Sequence, residues 1–388
     1  MRIHPTSLGF TLLLGALAGL PALSIDMALP ALLLIAAEFG ATSSQTALTL
    51  SLFMGGFGAA QLVLGPLSDR IGRRPVLLVA LLLYTLGGVA SAGASSIAML
   101  LIARCVQGAG AAGGTVLAFA VIRDLFEGEA LRARLSTVSL VFSLAPVIAP
   151  TMGGLVLRFD GWHSIFIVLS VTGMALVIAV ALGLPESRHP DPPARNTAIL
   201  RERRTLAYGI VGALNLGNVF AFVAGSAPVL LGMYGLDITT FGLVFAVITV
   251  GVVAGAAINR VAASRNLHPA WPLGLGLAVA AAASIASSIL GQFGVIPLPV
   301  LVPLLLLVTM SRGLVSPNVT HAALEHVPHI AGAAAALIGS MQMLTGAVAG
   351  LVVGLMIDRY GASGLCYTMA AFGVPALIAW IYVERKYR

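Results

Sequence analysis

Charge is what this sequence has least of. Only 9% of its 388 residues are Asp, Glu, Lys or Arg, and just 14 are acids. A water-soluble fold needs a polar surface, and 59% hydrophobic residues with a mean hydropathy of +1.02 leave too little to build one. Cysteine is nearly absent. Cys105 and Cys366 both fall in apolar runs, which excludes a disulfide framework and thiolate metal spacing. Aromatics make up 6%, and the cations are dispersed among short segments. Despite the net charge of +7, no basic face with interleaved rings exists, so nucleic acid is excluded as a partner. Neither a soluble domain nor a nucleophile–base pair stands out, which argues against an enzyme, and no cofactor is expected.

What the chain has instead is long, continuous apolar runs. Backbone groups in hydrocarbon must be satisfied internally, and non-alternating runs choose helices over a barrel. At roughly 20 residues per crossing and roughly 10 per loop, the length fits about twelve crossings of a lipid bilayer. Spans are placed near 8–29, 46–66, 75–93, 98–121, 133–157 and 163–183, the first able to continue toward Glu38. A second set lies near 206–230, 240–260, 270–290, 297–318, 332–356 and 362–383. The first 25 residues mimic a signal peptide, but further spans follow at once, so an uncleaved first helix is expected. The fold class is therefore an all-α polytopic membrane protein of 12 transmembrane helices in two pseudo-symmetric six-helix bundles. The bundles would occupy 1–184 and 206–388, joined by the proline- and charge-rich linker 185–205. Two signals suggest an internal repeat: RFDGW closes span five as DRYG closes span eleven, and residues 259–269 answer to 65–75. With the N-terminus inside, every cation except Arg104, Arg158, Arg312 and Arg359 falls on the cytoplasmic side, so both termini are expected there.

Residues 65–75, GPLSDRIGRRP, read as a tight cationic turn carrying Asp69, Arg70, Arg73 and Arg74 between two apolar walls. Of all the acids, Asp26 is the one that falls inside a span and away from its ends. A carboxylate there costs roughly 2.5–3.5 kcal/mol on insertion scales, so it should face a cavity or a partner, or else cap a broken helix before Pro30. Burial raises such a group's pKa and a cation lowers it, so it can load and release a proton as its surroundings change. Arg104 lies at a compatible depth in span four, with Gln107, Gly108 and Ala111 on the same helix face. It could tune Asp26 without itself titrating, or snorkel to the exterior interface. In span five, LAPVIAPTMGG carries Pro146, Pro150, Gly153 and Gly154: prolines that bend a helix and glycines that admit a close neighbour.

These residues resemble a known family. GPLSDRIGRRP is similar, at Gly65, Asp69, Gly72, Arg73 and Arg74, to the loop between helices two and three of the major facilitator superfamily. LLIARCVQGAGAA resembles the helix-four motif of proton-coupled members through Arg104, Gln107 and Gly108. APVIAPTMGG resembles the helix-five antiporter motif at Pro150, Gly153 and Gly154, departing from it at Ala145 and Ala149. DMALPAL and FAVIRDLFEGEALRAR look like the bicyclomycin/chloramphenicol-resistance (Bcr/CflA) group of drug exporters. The resemblance implies drug:proton antiport by alternating access, with Asp26 binding the proton or a cationic drug. Arg104 and Gln107 would couple that event to the conformational change. Asp69, near the start of helix eleven or paired with Arg123, would latch a cytoplasmic gate.

The second half offers substrate contacts instead of proton carriers. Asn215, Asn218 and Phe222 share a face of helix seven; Met341 and Gln342 on helix eleven, with Arg312 and Asn318 on helix ten, add polar points to an apolar lining. A charge inside a span needs a partner or water, and none can be named for Arg312. His321, Glu325, His326 and His329 have spacing a metal could use, but a solvated loop is the preferred reading. The expected protein is a monomeric exporter of drug-like small molecules in the bacterial inner membrane, driven by protons. Export of an endogenous sugar or amino acid, or a polytopic sensor, are the alternatives.

Overall fold

In the computed structural model, residues 4–187, 202–327 and 330–387 are described. Most of the expected linker, and His329, lie outside them. Among the described residues, 12 helical spans are long and apolar enough to cross a membrane. Their outward faces are apolar, with Val79, Leu86, Ile102, Val171 and Leu243 exposed. Large aliphatic side chains arrayed outward on successive helices are the signature of a lipid solvent.

Contacts divide the chain into two units. One comprises Met1–Leu34 with Leu52–Ala194, the other Ile35–Ser51 with Arg195–Arg388. Residues 35–51, which sequence alone assigns to the first half, thus group with the second. The physical reason is local: the carboxylate of Asp358 accepts from the backbone amides of Ser43 and Ser44, at 3.0 and 3.1 Å, capping the helix that starts there.

The chain opens with α1 (Leu8–Asp26), which stops at Asp26; a 3₁₀ turn over Leu29–Ala31 and α2 (Leu32–Phe39) complete the first span. Pro30 cannot donate a backbone bond, which fits the break. There follow α3 (Ser43–Ile71), α4 (Arg73–Ala92), α5 (Ile97–Leu125), α6 (Gly128–Asp160) and α7 (His163–Gly183). The expected turn at 65–75 is mostly helix. α3 runs through Pro66 to Ile71, and α4 begins at Arg73, leaving Gly72 alone between them. Its φ of 122° belongs to glycine. Hydropathy marked where lipid ends, whereas the helix continues into the polar layer.

In the second unit, α8 (Arg203–Ala227) passes into a wider π-type turn over Pro228–Met233. It is followed by α9 (Ile238–Ser264), α10 (Ala270–Gln292), α11 (Leu298–Leu324), α12 (Ala331–Tyr360) and α13 (Ala362–Tyr387). Tyr208, Val211, Leu273, Leu277, Val315, Val319 and Ile338 form its core. The suspected repeat has a backbone counterpart: Gly161 ends α6 at φ 57°, ψ −150°, and Gly361 ends α12 at φ 60°, ψ −142°.

Candidate functional site

Asp26, the last residue of α1, is 4% exposed. It forms no hydrogen bond or ion pair among the described residues. The break in α1 places its carboxylate where the helix hands over to a turn, and α6 lies against that turn. A Cβ on Gly153 would stand 2.3 Å from the carbonyl oxygen of Met27. Gly153 therefore lets α6 approach the turn after Asp26 by its backbone; Pro146, Pro150 and Gly154 lie in the same helix.

Arg104 is 0% exposed. Its Nη1 donates to Gln107 Oε1 at 2.6 Å, and its Nη2 to the carbonyl oxygen of Ser24 at 3.1 Å. The guanidinium also lies over the rings of Phe53, at 4.4 Å, and Phe166, at 5.4 Å. Gly108 makes the Phe53 contact reachable, since a Cβ there would overlap the Phe53 carbonyl at 1.9 Å. The Ser24 hydroxyl meets Tyr84 Oη at 2.7 Å and donates to Leu20 O at 2.7 Å. Sequence reasoning placed Arg104 and Asp26 at one depth, and the structure links them more closely but indirectly. Arg104 holds the last turn of α1 through Ser24, two residues before Asp26, without an ion pair to that carboxylate. It is enclosed by rings, not snorkelling.

At the other end of this unit, Arg73 is the hub. Its Nε donates to Asp124 Oδ2 at 2.9 Å, and its Nη1 to Ser68 Oγ at 2.7 Å and to Asp69 Oδ1. The backbone amides of Arg73 and Arg74 donate to the two carboxylate oxygens of Glu186, at 2.8 and 3.2 Å. The Arg74 side chain reaches the carbonyl of Ala181. Asp69 therefore pairs with Arg73 one helical turn on, and not with Arg123, which makes no hydrogen bond or ion pair among the described residues. The carboxylate that meets the cation from α5 is the next residue, Asp124. Gly65 lies within α3 above this cluster. Asp124, Glu186, Ser24 and Tyr84 were all missed from sequence; Asp124 and Glu186 had a signal, as acids on the same predicted face as the cationic turn.

In the second unit the assigned substrate contacts separate into two groups. Asn215 donates to Ser311 Oγ at 2.9 Å, and Asn218 donates to Ser284 Oγ at 3.0 Å and to Met369 O at 3.1 Å. Phe222 stacks on Phe245 with centroids 5.4 Å apart. All three are buried, and through these contacts they tie α8 to its neighbours, while Asn215 Oδ1 and Asn218 Oδ1 meet no donor among the described residues. Arg312 has a partner after all, donating from Nη2 to Gln342 Oε1 at 2.9 Å. Met341 is half-buried and faces Gly209, whose Cβ would come 3.3 Å from Met341 Sδ. Asn318 bonds Asn259 Oδ1 at 2.6 Å. No cluster of potential metal ligands occurs among the described residues. His321, Glu325 and His326 instead share a polar cavity of about 320 Å³ with Arg204, Tyr208 and Glu384.

Twelve lipid-facing helices, a buried lone carboxylate at a broken first span and a buried arginine beside it define a polytopic membrane transporter. The Major Facilitator Superfamily profile matches residues 14–350, and the chain belongs to that superfamily. It is 30% identical to the bicyclomycin resistance protein homolog of Haemophilus influenzae, over 97% of this chain and 96% of that one. Identity to multidrug resistance protein D of Escherichia coli is 28%, over 84% and 83% of the two chains. A bacterial homologue of the human lysosomal transporter Spinster has the same fold, with a TM-score of 0.79 at 17% identity, over 98% of this chain and 97% of that one.

Proposed function

We propose that this chain exports drug-like amphiphiles across the bacterial inner membrane in exchange for protons, by alternating access of two six-helix halves with both termini in the cytoplasm. The observation that carries the proposal is Asp26: buried, unpaired among the described residues and set at a helix break. A carboxylate in such a place is expensive to leave charged, so it is suited to accept a proton and release it when its surroundings change. Relatives named for bicyclomycin resistance and multidrug resistance support the cargo class.

In this reading Asp26 carries the proton and Arg104 stays charged throughout. Because Arg104 grips the backbone at Ser24, a shift of α1 on protonation is felt at once by α5. The cluster of Asp69, Arg73, Asp124 and Glu186 around Gly72 supplies a rigid cytoplasmic edge against which a gate can close. Asp69 remains the gate's acidic member, held ready by Arg73.

The test is ethidium efflux from proteoliposomes under an imposed pH gradient. Asp26→Asn is expected to abolish gradient-driven efflux, by at least tenfold, while leaving ethidium binding to the purified protein within about threefold. Efflux in that variant that still follows the pH gradient sinks the assignment.

A further inference from the structure

Arg312 is the fifteenth of the 27 residues of α11. It stands about 18 Å along the helix from the nearer end at Leu324, at 1.5 Å per residue. Its hydrogen bond to Gln342 Oε1 uses Nη2, and Nη1 is enclosed with no acceptor. The described acids of the second unit lie near helix ends, Glu38 at the end of α2 and Glu202 at the start of α8 among them. Asp237 caps α9 through Thr239 and Thr240, Asp358 caps α3, Glu325 faces Arg204 at 4.0 Å, and Glu384 lines the polar cavity. No carboxylate among the described residues answers the charge of Arg312.

Enclosed polar groups in native proteins are nearly always satisfied, and an unanswered guanidinium nitrogen at mid-span departs furthest from that rule. Two more details suit it to a ligand. The Gln342 amide has given its oxygen to Arg312, and its Nε2 donates to no described residue. Gly212 leaves room at that nitrogen, where a Cβ would come within 3.0 Å. The two side chains therefore present free N–H donors with no free acceptor. Their surroundings are apolar, with Met341, Ile338 and Val319 close by.

We infer that Arg312 and Gln342 form the anion-recognition point for the cargo, and that the exported class includes amphiphiles bearing a single carboxylate. A planar guanidinium with one nitrogen unpaired takes one carboxylate oxygen on Nη1, while Gln342 Nε2 takes the other. One fixed charge answers one acid group, so multiply charged molecules are not accommodated. This deepens the export reading by naming part of its cargo.

The experiment uses two fluorescent probes that differ only in that group, dansylglycine and its neutral amide, titrated by anisotropy against the purified full chain in lipid nanodiscs. The expected result is at least tenfold preference for the acid in the unaltered protein. Arg312→Gln should collapse the ratio toward one, and Arg312→Lys should retain part of it. No preference in the unaltered protein, or a preference that survives Arg312→Gln, overturns the inference. If Arg312→Gln fails to fold, Gln342→Leu is the second arm, expected to lower the preference at least threefold; an unchanged ratio there overturns it as well. Ethidium efflux is measured in parallel: its absence in the unaltered protein counts against export, while the dansyl ratio still decides Arg312.

Discussion

The two units each hold an arginine within a span, and they treat it in opposite ways. In the first, Arg104 is wrapped: an amide oxygen, a backbone carbonyl and two aromatic faces meet its guanidinium. In the second, Arg312 has one amide oxygen and an enclosed nitrogen left over. A wrapped cation is a fixed part of the scaffold, able to impose a constant field and to transmit a displacement. A cation with an unpaired nitrogen is, on the inference above, a place for something else to bind. In the reading proposed above, the same residue type serves as a coupling element in one half and a recognition element in the other.

The largest expected effect comes from breaking the wrapped site. Arg104→Ala should lower the stability of the purified protein by about 3 kcal/mol, because it strips charged hydrogen bonds and ring contacts from a closed space. The loss would be read as a fall in thermal midpoint in detergent. Next is the hub of the same unit, where Asp124→Asn should cost about 1–2 kcal/mol by weakening its hold on Arg73. Glu186→Gln removes a charge from the start of α4 but keeps an acceptor, and at a solvent-exposed side chain should cost no more than about 1 kcal/mol. Smallest is Arg312→Gln, expected within about 0.5 kcal/mol of the unaltered protein, since removing a poorly satisfied charge forfeits little. Equal losses at Arg104 and Arg312 would erase the distinction between the two sites.

Much of this was legible in the residues. The spans, the burial of a lone acid at position 26 and that of Arg104 follow from hydropathy and from the rarity of charge in lipid. The end of α3 was not legible, because a helix that leaves the bilayer keeps its hydrogen bonds while its hydropathy falls. Nor were Phe53, Phe166 and Tyr84 around the arginine cluster, since which helices touch is not written in any one of them. The partners of Asn215 and Asn218 were not legible for the same reason. An asparagine on an apolar face can greet a ligand or a serine on the next helix, and only the packed bundle tells which.

The Gly72 turn carries a consequence for how the protein is made. The carboxylate that closes the start of α4 is synthesised 113 residues after Arg73. At translation rates of roughly 5–20 residues per second, the amides of Arg73 and Arg74 wait about 6 to 23 s for Glu186 to emerge. By then α7 has been made, so the clasp can close only on a finished set of six spans. Glu186 acts as a completion mark for the first half, fastening the turn between its second and third spans with its last residues.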